Sequence, residues 1–489
     1  CSCRIEFSSP VGWRGWCCSR WASMRLAERP AARTPAVTTT AAGGGVEAAL
    51  CGWGGGQRVA AGVVRAASAG ALQAAVAHPG AVASIPRGMG RSYGDAAQLA
   101  GGQVLETTRL NDFDLDAETG VVRAQAGVTL GRLLAESEPA GWVLPVVPGT
   151  QHVSVGGAIA SDIHGKNHGV SGTFGAHVLA LELLTASGEL LELTPEHDPE
   201  LWGATIGGMG LTGVIVWATI RLRRLPSPLL SVDTDRVEDL DAALAGLDAP
   251  GGPHRVAWLD LLGPGLARGV VTRAEHAPAD AADGHAGART TVAGRLRIPP
   301  RWPGGLLQPG VVRAYNEFRF RSMPRRATGE LEPFGAHMFP LDALDAWPRL
   351  YGPAGFVQYQ LVVPRGQEVA VEQVLVQLRR SAVPCYLAVL KDFGPANPFP
   401  LSFPLAGWTL ALDLPRRAPG LMALLERFDE IVAGAGGRVY LAKDGRLRAD
   451  TLAAMYPRLD EWRAVRDRID PDGRWRSDLG VRTGLVRPR

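Results

Sequence analysis

Between residues 50 and 225 the chain alternates short apolar runs with glycine- and proline-rich turns. AVASI, GQVLETT, GVVRAQAGV, WVLPVV, HVLALELLTASGELLEL and GVIVWATIRL are rich in β-branched residues and read as strands. Helical stretches are fewer: VTLGRLLAESEPAG is one, and DPELWGATIG is another that Pro199 can start. The pattern predicts an α+β block rather than a regular βαβ series. LRRLPSPLL (222–230) marks a boundary. Beyond it come a loose polar insert at 277–291, strands such as GFVQYQLVV and the helix VEQVLVQLRRS. A last segment contains GGRVYLAKDG and a helix over TLAAMYPRLDEWRAVRDRI. No repeat recurs at a fixed period, which argues against a solenoid or propeller.

Length and composition sharpen this picture only a little. A chain of 489 residues is too long for one ordinary core, so two domains are expected. Hydrophobic residues at 46% with 20% charged describe a soluble globular chain. A formal charge of +3 gives no reason to expect nucleic acid, but leaves room for a local basic patch facing an anionic ligand or a membrane. No apolar run is long enough to span a bilayer. Residues 1–45 read as a tail, with Cys1 first, Trp13, Trp16 and Trp21 among arginines, and AERPAARTPAVTTTAAGGG after Met24. An upstream extension of the reading frame explains it better than a mature lipoprotein start. Four of the six cysteines crowd into its first 18 residues without C-x-x-C spacing, so neither a disulfide scaffold nor a metal site is expected.

The chemistry begins at PRGMGRSYGD (86–95). No Gly-x4-Gly-Lys-Ser/Thr string occurs, which removes the P-loop. The decapeptide narrowly misses the dinucleotide fingerprint, because Tyr93 stands at the third glycine and a strand follows with no room for a crossover helix. The one full match, Gly208-Met-Gly210-Leu-Thr-Gly213, has helix and strand in reversed order and is a decoy. A glycine-rich turn between strands still binds pyrophosphate through successive N–H groups, with Arg87 and Arg91 adding charge. Alone, such a loop reads more readily as a tight structural turn. PGTQHVSVGGAIASDIHGKNHG (148–169) shifts that balance. Its Gly156, Gly157, Ala158 and Ala160 let a flat ligand approach the backbone, and Asp162, His164, Lys166, Asn167 and His168 gather polar groups beside them.

These stretches, with FGAHVLALELLTASGE, WGATIGGMGLTGVI, YGPAGFVQYQ, LSFPLAGW and YLAKD, resemble the FAD-dependent decaprenylphosphoryl-β-D-ribose 2′-oxidases. That family belongs to the vanillyl-alcohol-oxidase type of flavoprotein, with aldonolactone and alditol oxidases as neighbours. The resemblance runs from about residue 50 to the C-terminus. It implies a two-domain PCMH-type fold: an FAD-binding domain at 50–228, a substrate domain at 229–436 and a C-terminal segment, 437–489, returning to the first. Arg87, Gly88, Met89, Gly90, Arg91, Ser92 and Tyr93 would wrap the FAD pyrophosphate. Gly149, Thr150, Gly156, Gly157, Ala160, Ser161, Ile163 and His164 would line the rest, with Gly213, Val214 and Ile215 supporting the adenine side. Many relatives tether FAD through a histidine in a G-H-S pattern; here Arg91 replaces it, which implies non-covalent FAD.

The resemblance assigns positive charge near the flavin to Lys443, with Tyr440 beside it, and the substrate hydroxyl to His164 assisted by Lys166. Tyr93 joins them in the catalytic group. Gln358, Gln360, Lys391 and Phe393 match the substrate-facing wall, and strand alternation sends both glutamines to one face. Each has a plainer reading: a solvated lysine, a structural histidine, a packed loop tyrosine, a solvated strand face. Three positions depart from the mycobacterial pattern: Ala411 stands in place of a cysteine, Thr409 of an asparagine and Met338 of a tyrosine. They put fine substrate preference in doubt and predict insensitivity to inhibitors that need that thiol. The implied reaction converts the 2′-hydroxyl of a polyprenyl-phosphate-linked ribose to a ketone, which an NAD(P)H-dependent keto-reductase then reduces to the arabinose epimer. A lipid-linked substrate implies membrane-surface contact, from the cytoplasm or the cell-envelope side. A soluble-sugar aldonolactone or alditol oxidase remains open, as does a flavin-binding scaffold without turnover.

Overall fold

A computed structural model describes residues 45–77, 82–282, 285, 287–299 and 307–487. Most of the tail, with Cys1, Cys3, Cys17, Cys18 and Met24, lies outside the described residues. Strands Val46–Leu50, Val59–Arg65, Gln103–Glu106 and Ser84–Arg87 form a sheet in that order, the first pair antiparallel and the other two parallel. Parallel neighbours need a long return path, usually a helix. Here residues 88–102 make the return from Ser84–Arg87 to Gln103–Glu106 with no helix. The glycine turn therefore sits where a Rossmann crossover helix would begin, and no helix follows it.

A second, antiparallel sheet runs Phe113–Asp116, Val121–Gln125, Val214–Arg221, Val178–Leu184, Leu190–Leu193. Helix Leu130–Ser137 starts at Thr129, whose side chain accepts from Arg132 N, and helix Pro199–Thr205 starts at Asp198 in the same way, with proline in its first turn. WVLPVV contributes only a two-residue strand, Trp142–Val143. Pro145 and Pro148 lack the N–H groups that a longer ladder requires.

The third sheet has eight strands, all antiparallel: Arg326–Pro333, Leu229–Val237, Arg268–His276, His254–Asp260, Leu387–Phe393, Gly407–Pro415, Phe356–Pro364 and Arg438–Val439. Its two faces do different work. Tyr359 points to helix Leu421–Gly434, where its hydroxyl meets Asp429 at 3.0 Å and its ring meets Phe428. The flanking Gln358 and Gln360 point the other way, as alternation requires. Helix Glu368–Arg380 buries Val371, Val374, Leu375 and Leu378 against the same sheet.

After Val439 the chain leaves this sheet and passes beneath the glycine turn, where Ala442 O accepts from Tyr93 N at 2.9 Å. It then reaches the first sheet: Ser84 N bonds Arg474 O at 2.8 Å and Arg476 N bonds Ser84 O at 2.9 Å. The single helix expected over TLAAMYPRLDEWRAVRDRI is two, Ala449–Met455 and Leu459–Ile469. Pro457 breaks it, because a proline has no N–H to donate and pushes Tyr456 out of helical geometry.

Candidate active site

The glycine turn is shaped by close contacts. A Cβ on Gly88 would lie 2.1 Å from Ser154 Oγ, and one on Gly94 would lie 1.7 Å from the Asp444 carbonyl oxygen. Gly90 has φ +62°, which glycine adopts at no steric cost. The backbone N–H groups of Gly88, Met89, Gly90, Arg91 and Ser92 donate to no described residue. Five successive free donors in a tight turn are a nest for an anion. Arg87 contributes differently from expectation. Its guanidinium donates to the carbonyls of Ala97 (2.8 Å) and Cys51 (2.9 Å), so it braces the loop from behind. Arg91 lies 3.9 Å over the Trp53 ring and donates to Met89 O, while its buried Nε has no partner.

The 148–169 stretch packs directly against this turn. Ser154 caps a six-residue helix, Val155–Ala160, that the pattern of small residues did not announce. Gly156 N bonds Ala126 O, and Ala126 N bonds Val216 O, so the strand after Gly213, Val214 and Ile215 supports the helix from below. Gly149 faces open space, while Thr150 and Gln151 N both bond the Asp342 carboxylate at 2.8 Å. Ala160 O takes Met209 N, Ser161 O takes the Tyr440 hydroxyl at 2.8 Å, and Ile163 O takes Phe174 N. Between them Asp162 is strained (φ 39°) and fully buried. Asn397 at 2.7 Å and Ser402 at 2.5 Å hold its carboxylate, tying the stretch to the segment that joins strands Leu387–Phe393 and Gly407–Pro415.

His164 follows this knot and is buried among Phe393, Phe403 and Tyr440, with ring centroids at 4.8, 5.6 and 5.1 Å. Gln360 donates to its Nε2 at 3.0 Å and to Thr409 at 3.1 Å, and the buried Nδ1 has no partner. Burial, with Lys391, His168 and Lys443 nearby, holds its pKa well below the usual imidazole value, so the ring is neutral. Burial also pushes Lys391 down to about 8 and Lys166 to about 7. Lys166 Nζ donates to His337 O, and His337 Nδ1 meets Glu332 at 3.0 Å. Lys443 Nζ lies 3.8 Å over the Tyr93 ring; burial lowers its pKa and Asp413 opposes that shift.

Asp413 is one of the residues that sequence reasoning missed. Gln358 bonds it at 2.5 Å and the Tyr351 hydroxyl at 3.4 Å, and burial raises its pKa. A carboxylate inside the apolar strand WTLALDLP was the available signal, since unpaired charges are rarely buried. Asp342 and Trp53 left no such mark in the sequence. The structure therefore gathers Tyr93, His164, Lys166, Gln358, Gln360, Lys391, Phe393, Thr409 and Lys443 around one cleft. Ala411 sits on the same strand face, paired in register with Gln360 and Val389. Met338 is buried at the end of helix Phe334–Met338, one residue beyond the carbonyl that holds Lys166.

The unpartnered donors of residues 88–92, the glycine contacts behind them and the orphaned Arg91 Nε and His164 Nδ1 fit a large anionic, aromatic cofactor. Residues 60–194, which contain both glycine-rich stretches, match the family described as FAD binding domain. The chain is also 40% identical, over 82% of its length and 89% of the relative, to the decaprenylphosphoryl-beta-D-ribose oxidase of Mycolicibacterium smegmatis. The chain belongs to this oxidase family. As a member it is an FAD-dependent oxidoreductase of α+β fold. An uncharacterized protein of Streptomyces coelicolor is 41% identical over 73% of the chain and the whole of that relative. Within the oxidase family's fold, residues 416–482, carrying Tyr440 and Lys443, match D-arabinono-1,4-lactone oxidase. A Neurospora crassa protein named as a putative enzyme of that kind is 33% identical over 22% of the chain and 19% of its own length.

Proposed function

We propose that the protein oxidises the 2′-hydroxyl of a polyprenyl-phosphoryl-β-D-ribose to the 2′-ketone. The observation that carries this is the convergence of Lys166, Lys391 and Lys443 with two glutamines around a buried neutral histidine. A sugar joined to a phosphate needs cations for the phosphate and amides for the hydroxyls, and soluble sugars need only the second. The name of the Mycolicibacterium relative points to the same substrate class.

The 88–92 turn and the 149–163 stretch would hold FAD, which would supply the two-electron acceptor for oxidation of the carbinol carbon. The chain's own residues prepare that step. His164, kept neutral by burial and held at Nε2 by Gln360, offers its Nδ1–H to the hydroxyl oxygen, whose own proton passes to water as the carbon is oxidised. Lys443, anchored over Tyr93, provides positive charge where negative charge builds up. Lys391 and Lys166 bind the phosphate, and Gln358 and Thr409 line the sugar. The ketone product requires a hydride-donating reductase, NAD(P)H-dependent in this reading, to complete epimerisation.

The match of residues 416–482 to a lactone oxidase favours a second reading, oxidation of a soluble aldonolactone. Anaerobic bleaching of the bound flavin separates the two. Polyprenyl-phosphoryl ribose bleaches it and free aldonolactones or alditols do not; the reverse result sinks the first reading.

A further inference from the structure

Helix Pro309–Ser322 carries its apolar residues on two faces. Val312, Asn316 and Phe320 are buried, while Val311, Tyr315 and Phe318 are 52%, 51% and 70% exposed. The exposed three follow i, i+4, i+7 spacing, so they form one solvent-facing stripe about 10 Å long. Arginines surround it. Residues 309–326 hold five arginines against Glu317 alone, and Arg313, Arg321, Arg325 and Arg326 are exposed.

The helix has a defined place relative to the cleft. Arg319 lies 5.0 Å over the Trp258 ring, and Phe320 receives Arg236 and Arg268 at 5.0 and 4.5 Å. Asn316 bonds Asp260 at 2.8 Å. Trp258 pairs with Val389, Val389 with Ala411 and Ala411 with Gln360, so all four point to one face of the eight-stranded sheet. At about 4.8 Å per strand the row spans about 14 Å. The helix thus stands on the cleft side of the sheet, about three strands from Gln360.

We infer that this helix is a lipid-docking surface: Val311, Tyr315 and Phe318 enter the interface of an anionic bilayer while the flanking arginines engage its phosphates. An apolar aromatic stripe bordered by arginine is the composition that lies in a membrane interface. Its purpose rests on the lipid-linked substrate proposed above. Docked this way, the protein presents its cleft beside the leaflet that holds such a substrate.

Flotation of the full-length flavoprotein with vesicles of phosphatidylglycerol and phosphatidylcholine tests this. The wild type floats at low salt, and less so as salt rises. Combining Val311→Ser, Tyr315→Ser and Phe318→Ser lowers vesicle affinity about tenfold or more, with flavin absorbance and thermal midpoint unchanged. Arg321→Glu with Arg325→Glu lowers it about fivefold or more. A wild type that ignores anionic vesicles, or a triple variant that floats equally well, overturns the inference. So does a concentration-dependent dimer that the triple variant abolishes, which would give the face to a second copy. Turnover of detergent-dispersed polyprenyl-phosphoryl ribose reads the proposed reaction separately: its absence with vesicle binding intact sinks the reaction and leaves the surface.

Discussion

Gln360 Nε2 stands 3.0 Å from His164 Nε2, joining a strand of the eight-stranded sheet to the stretch that follows the glycine-rich helix. The amide nitrogen donates, so His164 accepts at Nε2 and carries its proton on Nδ1. The same amide reaches Thr409 at 3.1 Å, which keeps its orientation fixed. Gln360→Leu removes both bonds and strands a buried acceptor, at a cost of about 1–3 kcal/mol. If His164 orients the hydroxyl, kcat/KM falls about tenfold to a hundredfold while the flavin spectrum persists. Unchanged kcat/KM would mean that His164 is held elsewhere.

Lys443 has a different role and a different signature. Its ammonium lies over the Tyr93 ring beside the turn with the free N–H groups. Lys443→Ala should retain yellow protein but slow flavin bleaching by two to three orders of magnitude, the usual scale for removing one group that stabilises developing negative charge. Colourless Lys443→Ala protein would instead assign the residue to cofactor binding.

The lysines also predict how the apoprotein responds to pH. Lys391 is pushed down to about 8 and Lys166 to about 7 by burial, against 10.5 for an ordinary lysine. Above these folded values the unfolded chain keeps protons that the folded chain has released, so stability rises with pH. The window runs from about 7 to 10.5. Below it both states are charged and the two lysines add no slope. Thermal midpoints of apoprotein should climb across the window, and Lys391→Met should flatten the climb. An equal slope in the variant would exclude Lys391 as a source.

How much of this was legible in the sequence depended on whether a feature was local. The glycine turn could be read because φ > 0 at Gly90, close backbone approach at Gly94 and the Ser154 side chain against Gly88 all favour glycine. Gln358 and Gln360 could be read because strand alternation is a property of the strand alone. Asp342, which bonds Thr150 and Gln151, sits some 190 residues away in sequence, and no short-range pattern announces such a pair. The guanidinium partners of Arg87, the carbonyls of Ala97 and Cys51, are likewise brought in by the fold and leave no local mark.

Gly94 offers a stringent test of the joint between the turn and the C-terminal segment. Gly94→Ala drives a methyl group into the Asp444 carbonyl at 1.7 Å, in a segment held by Tyr93 N at the Ala442 carbonyl and by Arg482 at the Asp444 carboxylate. Insoluble or colourless protein is expected. Gly101→Ala also has positive φ but meets nothing within 4 Å, and should cost only about 1 kcal/mol. Equal behaviour of the two variants would show that strain, not contact, governs this loop.

Asp413 and Lys443 titrate as neighbours, which sets the direction of a pH effect. Burial raises the Asp413 pKa and lowers that of Lys443, and each charge favours the other. Asp413→Asn keeps a partner for Gln358 but removes the negative charge. Lys443 then loses the influence that holds its pKa up, and its ammonium deprotonates at lower pH. If the charged lysine is the active form, activity falls as pH rises through that pKa. The alkaline limb of kcat should therefore move to lower pH in Asp413→Asn, with little change on the acid side. A structural role for Asp413 would lower activity evenly at every pH. A limb that stays in place, or moves to higher pH, would separate Asp413 from Lys443.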